Sequence, residues 1–311
     1  MSKNDSHPDS FAVFIITHGR PNNIKTTTTV RNAGYTGPIF YIVDNEDDTI
    51  AEYQKLYGDA VKVFDKKAWA DKIDEMDNFD KRKTTAHARN ASFSIAKELG
   101  YRWFVQFDDD YTNFQFRITG SGQYPDHLLG TKYLNKVFHA FVEFLKTTNC
   151  TSVAMAQGGD FIGGKNNKPF AAEPKMRRKC MNSFFCDSER PFTFRGRLNE
   201  DVNTYVALGN IGELFCTIPF FSLNQASTQQ SSGGMSDAYL ESGTYQKSFY
   251  TVMLCPSAVK VSMLNTTNRR IHHKICWRDA VPLILREEIR KQAKNPPHIA
   301  TPKIASSKRK Q

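Results

Sequence analysis

The chain lacks any apolar run long enough to cross a membrane. Its longest, such as FAVFII near the start, falls far short of the roughly 18 residues a spanning helix needs. Met1 to Ser10 is polar and holds no apolar signal region, so a soluble protein without an export signal, cytosolic or in a cytosol-like compartment, is expected. A CxxC pair is also missing. The six cysteines, Cys150, Cys180, Cys186, Cys216, Cys255 and Cys276, are dispersed, and no His/Cys pair at zinc-finger spacing stands near Cys180 and Cys186. Reduced structural thiols are expected, as in a reducing compartment. There is no GxxxxGK[ST], so Gly163-Gly164-Lys165 does not form a phosphate-binding P-loop. Internal repeats and an interdomain linker are absent too.

What is present is ample material for a core: 311 residues, 40% of them hydrophobic and 12% aromatic, which excludes disorder for most of the chain. The formal net charge is +10, a surplus that favours a polyanionic partner such as nucleic acid or a nucleotide-linked substrate. Part of it lies in a Pro/Ser/Lys-rich C-terminus with Lys303, Lys308, Arg309 and Lys310, where disorder is expected.

Phe11 to Thr17 (FAVFIIT) reads as a buried parallel strand that ends at His18-Gly19-Arg20-Pro21, with a helix over roughly residues 22 to 33. Ile39 to Val43 is a second such strand, ending in Asp44, Glu46, Asp47 and Asp48; Thr49 to Tyr57 is helical in pattern, and Val61 to Phe64 is a third strand. Strand and helix alternating with short connections is the sequence form of a doubly wound parallel sheet, whose ligands bind beyond the carboxyl ends of the strands. Residues 66 to 83 read as a charged loop, and Thr84 to Leu99 as a helix with Ala88, Phe93, Ala96 and Leu99 at helical spacing.

Tyr101 to Tyr111 (YRWFVQFDDDY) then places Asp108, Asp109 and Asp110 at the end of a buried aromatic strand. Adjacent like charges raise one another's pKa, so such a cluster calls for a counter-charge, most simply a divalent cation carrying phosphate oxygens. Spacing alone leaves an acidic turn equally open.

In the second half, Phe114 to Ile118 alternates, Gly120 to Gly122 reads as a turn, and His127 to Thr148 includes an amphipathic helix. Val153 to Met155 is a short strand leading into a flexible loop over Gln157 to Lys165 beside the cleft. Residues 165 to 197 hold nine Lys or Arg among Phe170, Phe184, Phe185 and Phe192, either a solvated face or a loop that holds nucleic acid or acceptor. Arg195 to Val206 brings a second acidic pair, Glu200-Asp201, into a helical segment. Phe215 to Phe221 is a strand, residues 229 to 237 a mobile loop, and Val259 to Leu264 a final strand before Arg269-Arg270-Ile271-His272-His273-Lys274.

This order resembles a GT-A glycosyltransferase. More narrowly, FIITHGRP, GYTGPIFYIVDNEDD, the Arg89-Asn90 pair and FDDDY together look like the TET-associated glycosyltransferases, phage-centred enzymes linked to modified DNA bases, over roughly residues 11 to 280. The resemblance implies an α/β GT-A (Rossmann-like) fold, a mostly parallel sheet flanked by helices in a single large domain. That domain would span 11–294, with a nucleotide-sugar half (11–112) and an acceptor half (113–294), between a flexible N-terminus (1–10) and a disordered basic tail (295–311).

It also implies a UDP-sugar donor, Mn²⁺ or Mg²⁺, and double-stranded DNA carrying 5-hydroxymethylcytosine or a related base as acceptor, in a host cytoplasm for a phage-encoded enzyme. Thr17, His18, Gly19 and Arg20 would border the nucleotide, Asp44 contact the nucleoside, and Arg89 and Asn90 lie over the donor. Asp108 and Asp110 would be the outer positions of a DxD motif that binds the metal, with Asp109 between them beside the donor. Asp201 would be the general base, with Glu200 as the fallback, and His272 or His273 the late histidine completing the metal site. The rival expectations are a GT-A enzyme with a protein or glycan acceptor, and a nucleic-acid-binding module without turnover.

Overall fold

The run Phe11–Ile16 has no polar face, and such a strand has to be covered on both sides. In the computed structural model, which describes residues 7–77, 82–119, 130–157, 173–226, 246–264 and 269–292, it is β1 (Phe11–Ile16), an inner strand buried along its whole length. Phe11, Val13 and Ile15 enter one hydrophobic layer; Ala12, Phe14 and Ile16 enter the other. Side chains alternate across a strand, so one apolar run fills two cores.

On either side of β1 lie β2 (Ile39–Asp44) and β4 (Trp103–Asp108), both parallel to it, and β3 (Val61–Phe64) extends the sheet beyond β2. The register sets Ile16 beside Asp108, so the segments following β1 and β4 emerge together. The second half completes the same sheet with β5 (Tyr111–Phe116), β6 (Ser152–Gln157), β7 (Ser183–Asp187) and β8 (Phe215–Gln225), in the eight-stranded order β3-β2-β1-β4-β7-β6-β8-β5. β7 runs antiparallel to both β4 and β6, β6 and β8 are parallel, and β5 is antiparallel to β8.

One layer of the core holds Val30 of α1 (Lys25–Asn32), Tyr53 of α2 (Ile50–Tyr57) and the apolar stripe of α5 (Leu134–Thr148); α3 is a short helix, Lys66–Ala70. The other layer holds Phe93 and Ala96 of α4 (Ala86–Glu98) with Val202 and Tyr205 of α6 (Glu200–Asn210). A separate antiparallel hairpin, β9 (Val259–Leu264) and β10 (Arg270–Ile275), follows a helical stretch over 246–254.

The expected α/β architecture, a large and mostly parallel sheet flanked by helices, is therefore present. Three local readings are corrected. Residues 66 to 83 are not all loop, because Asp65 caps α3, its Oδ1 accepting from the Ala68 amide at 2.9 Å. The basic segment 165 to 197 contains the inner strand β7, and Phe184 and Phe185 are core residues, 0% and 1% exposed, so neither is available to stack on a base. RRIHHK is itself a strand, held by pairing with β9. Ahead of β1, Pro8 is buried and His7 meets the Tyr35 ring, while Asp9 and Ser10 are exposed and Ser10 O accepts from the Trp103 amide at 2.9 Å. Phe170, the Gly120 to Gly122 turn, the loops at 158–165 and 229–237, and the basic tail lie outside the described residues.

Candidate active site

All the polar strand ends open on one side of the sheet. After β1 the chain turns at Gly19, whose φ of 68° lies in the left-handed region that suits glycine. The turn is tied down by a directed chain of bonds. The Arg20 amide donates to Tyr53 OH at 2.9 Å, Tyr53 OH to Thr17 Oγ1 at 3.0 Å, and Thr17 Oγ1 to Asp109 Oδ2 at 2.8 Å. Arg20 Nη1 meets the other oxygen of Asp109 at 3.1 Å. Asp109 is thus the carboxylate that joins the β1 turn to the β4 turn.

Beside it, His18 Nδ1 donates to Asp44 Oδ2 at 2.8 Å, and Lys66 Nζ reaches Asp44 Oδ1 at 3.2 Å. Burial alone would raise the Asp44 carboxyl, but His18 and Lys66 hold it below its ordinary value, and the Asp44 bond raises His18. Asp47 takes the Gly19 amide at 2.7 Å.

The β4 turn is braced by α1. Thr26 Oγ1 donates to Asp108 O at 2.6 Å and accepts from the Tyr111 amide at 2.9 Å, and the Thr26 amide donates to Asp109 O at 3.1 Å. Phe104, Gln106 and Asp108 share the face that α4 covers, so Asp108 points at Arg89. The Arg89 guanidinium, 2% exposed, gives Nη2 to Asp108 Oδ1 at 3.0 Å and Nε to Glu200 Oε1 at 3.1 Å. Thr85 Oγ1 donates to the same Glu200 oxygen. Burial works against the Arg89 charge, and the two carboxylates outweigh it. Phe184 and Phe194 flank the guanidinium, its carbon 5.5 and 5.7 Å from their ring centres. Asn90 on the same helix is committed to backbone: it donates to Phe194 O at 3.0 Å and accepts from the Phe194 amide at 2.8 Å.

Two carboxylates are left with strained ionisation. Among the described residues, Asp110 Oδ2 accepts a 3.3 Å bond from Gln225, and its Oδ1 is buried without a hydrogen-bond partner. Burial, with the charges of Asp108 and Asp109, pushes Asp110 up to about 7. Asp201 lies in the first turn of α6. Burial and then Glu200 push it up to about 6, against Arg89 and Lys247, and its Oδ1 accepts the Val202 amide at 2.7 Å.

The fold therefore gathers Thr17, Arg20 and Asp109, then His18 and Asp44, and bridges Asp108 to Glu200 through Arg89. Among the described residues no group of three or more His, Cys, Asp or Glu side chains, whether the aspartates alone or with His272 and His273, is placed to hold a metal ion. His273 instead lies 3.5 Å from Asn199. Sequence reasoning missed Tyr53, Thr26, Asp47, Lys66 and Gln225. An Asp N-cap before KKAWA could have revealed the helix carrying Lys66, and Asp47 stood in the acidic group after β2; Gln225 left no signal.

An α/β sheet whose acidic cleft lies beyond the carboxyl ends of its parallel strands is the arrangement of a ligand-binding α/β enzyme. The chain belongs to the TET-associated glycosyltransferase family, which matches residues 11–234, and it is a glycosyltransferase. Among solved structures it is similar to glucosyl-3-phosphoglycerate synthase from Mycobacterium tuberculosis in complex with Mn²⁺, UDP and phosphoglyceric acid, at 11% identity over 91% of this chain and 90% of that one, TM-score 0.43. It is similar also to the mannosyltransferase PcManGT from Pyrobaculum calidifontis in complex with GDP-Man and Mn²⁺, at 12% identity over 81% and 77%, TM-score 0.43. A third likeness is to TarS (1–349) from S. aureus with UDP, at 9% identity over 79% and 65%, TM-score 0.43. No curated protein matched the chain.

Proposed function

We propose that the protein transfers a sugar from a nucleotide-sugar donor, a UDP-sugar, to the hydroxyl of a modified DNA base such as 5-hydroxymethylcytosine. The observation that carries this reading is the Arg89 bridge. One buried guanidinium holds Asp108, in the cluster that would meet the donor diphosphate, beside Glu200, the neighbour of the base Asp201.

The donor set fits a hard divalent cation, Mn²⁺ or Mg²⁺: Asp108 and Asp110 are carboxylates, and Asp110 has an orphaned buried oxygen and a raised pKa that a cation would relieve. Held there, the cation would supply charge stabilisation to the departing diphosphate. Arg20 and the β1 turn border the phosphates, and Asp44, fixed by His18 and Lys66, faces the nucleoside. Asp201, ionised at neutral pH, takes the proton of the acceptor hydroxyl as its oxygen attacks the anomeric carbon. Lys179 and Lys247 act electrostatically on His273, and Lys247 also on Asp201. With the basic surplus of the whole chain, they support an anionic acceptor.

The test incubates the protein with UDP-glucose and other common nucleotide sugars, and with hydroxymethylated or unmodified DNA, followed by digestion to nucleosides and mass spectrometry. A hexose mass gain on modified DNA alone is expected; no gain with any donor would sink the DNA reading. Sugar transfer to a protein or glycan, with release of UDP, would replace it.

A further inference from the structure

The hydrogen bonds around the start of α6 assign a proton on His273. Asn203 is fully buried, and its Nδ2 donates to two backbone carbonyls, Arg195 O at 3.1 Å and Leu198 O at 3.0 Å. Two acceptors fix that end as the amide NH₂, so Oδ1 faces Thr251, whose hydroxyl donates to it at 2.7 Å. Having given its one hydrogen, Thr251 Oγ1 accepts from Asn199 Nδ2 at 2.8 Å. The other hydrogen of that NH₂ faces His273 Nδ1 at 3.5 Å. Nδ1 must then be the acceptor, and the ring proton sits on Nε2. An imidazole that binds a metal through Nε2 carries its hydrogen on Nδ1, where it would collide with the Asn199 NH₂.

We propose that His273 is a positioning residue for Asp201 rather than a ligand of the cation, and that its Nδ1 ends a bond chain which anchors the first turn of α6. This rests on the cation-assisted transfer proposed above. Asn199, at the N-cap position of α6 immediately before Glu200 and Asp201, has φ 63°, a left-handed conformation that asparagine adopts more readily than other non-glycine residues, and its side-chain amide is held by Thr251 and His273. The loop before it is equally close-fitted: a Cβ on Gly196 would come 2.4 Å from Asn203 Nδ2. Burial, joined by His272, Lys179 and Lys247, pushes His273 down to about 3, in keeping with a neutral ring.

The first test is nitrogen NMR of ¹⁵N-histidine-labelled full-length protein, before and after Mg²⁺ and UDP. The Nε2-protonated tautomer is expected in both states; a proton on Nδ1, or loss of the Nε2 proton on adding Mg²⁺ and UDP, overturns the proposal. The second compares His273→Asn, whose Oδ1 replaces Nδ1, with His273→Gln, whose Oε1 replaces Nε2, and with His273→Ala. His273→Ala is expected to lower kcat about 100-fold with little change in donor KM, through a misplaced base. His273→Asn should recover most of that loss and keep Mn²⁺-dependent UDP binding within about twofold. Recovery by Gln and not by Asn overturns the proposal. Absence of Mn²⁺-dependent UDP binding in the unmodified protein refutes the transfer reading instead. The tautomer and the relative Tm of the Asn and Gln variants then still decide the placement of His273, a higher Tm for Asn being expected and a higher Tm for Gln overturning it.

Discussion

Asp201 shows how one residue's surroundings set its chemistry. Burial beside Glu200 brings its carboxyl to about 6, where it is ionised at neutral pH yet basic enough to accept a proton. The rate should therefore be level above that value and fall about tenfold for each pH unit below it, a limb read from kcat against pH. The sign for stability is opposite. A raised folded pKa adds stability below the unfolded value of about 3.9, and that contribution is gone once pH rises through about 6. Asp201→Asn should thus lose turnover and yet melt no lower than the unmodified protein at pH 8; a clear drop in Tm there would mean that Asp201 has a structural role. These environments were not legible in the chain. NEDV names two adjacent acids, and only the fold shows that Glu200 takes Arg89 while Asp201 accepts the Val202 amide of its own helix.

At the scale of elements, α4 couples the two halves of the site. Replacing Arg89 by Met removes a cation that two carboxylates, 22% and 13% exposed, share. Breaking a buried pair leaves charge uncompensated, so Arg89→Met is expected to lose about 3–5 kcal/mol in denaturant unfolding at neutral pH. Part of that loss should return at acidic pH, where Asp108, whose carboxyl burial already raises, takes up a proton. The elements themselves were legible in uneven measure. β1 and β2 have continuous apolar runs, and β4 one broken by Gln106 alone, because helices cover both faces of a parallel sheet, and such runs stand out. β7 is as buried as these, but it is five residues long inside a basic stretch, and its place between β4 and β6 comes from antiparallel pairing. β10 has a polar sequence and is a strand through its register with β9.

Over the whole molecule the formal charge of +10 belongs to the proposed acceptor rather than to the fold. Binding to duplex DNA should weaken linearly in log K against log salt, with a slope of about −0.9 for each phosphate neutralised. Lys179→Ala and Lys247→Ala should each flatten that slope by roughly one contact while UDP affinity stays unchanged. A salt-independent affinity, or lysine variants that weaken UDP instead, would move those cations from the acceptor to the donor. No helix among the described residues is long and apolar enough to cross a membrane.

By itself the sequence determined the parallel strands, the side of the sheet on which their polar ends open, and the identity of the acids Asp108, Asp109, Asp110, Glu200 and Asp201. These depend on local hydrophobic period and on residue type, both of which a chain carries in one dimension. Tertiary structure alone decided which acid does what. Asp109 is taken by Thr17 and Arg20, and Asp108 and Glu200 by Arg89, a residue 111 positions before Glu200. Among the described residues Asp110 retains an oxygen without a hydrogen-bond partner, and His273 is turned toward Asn199. A carboxylate's role follows from the charges and donors around it in a buried space, and contacts between residues so far apart in the chain leave no local pattern to read.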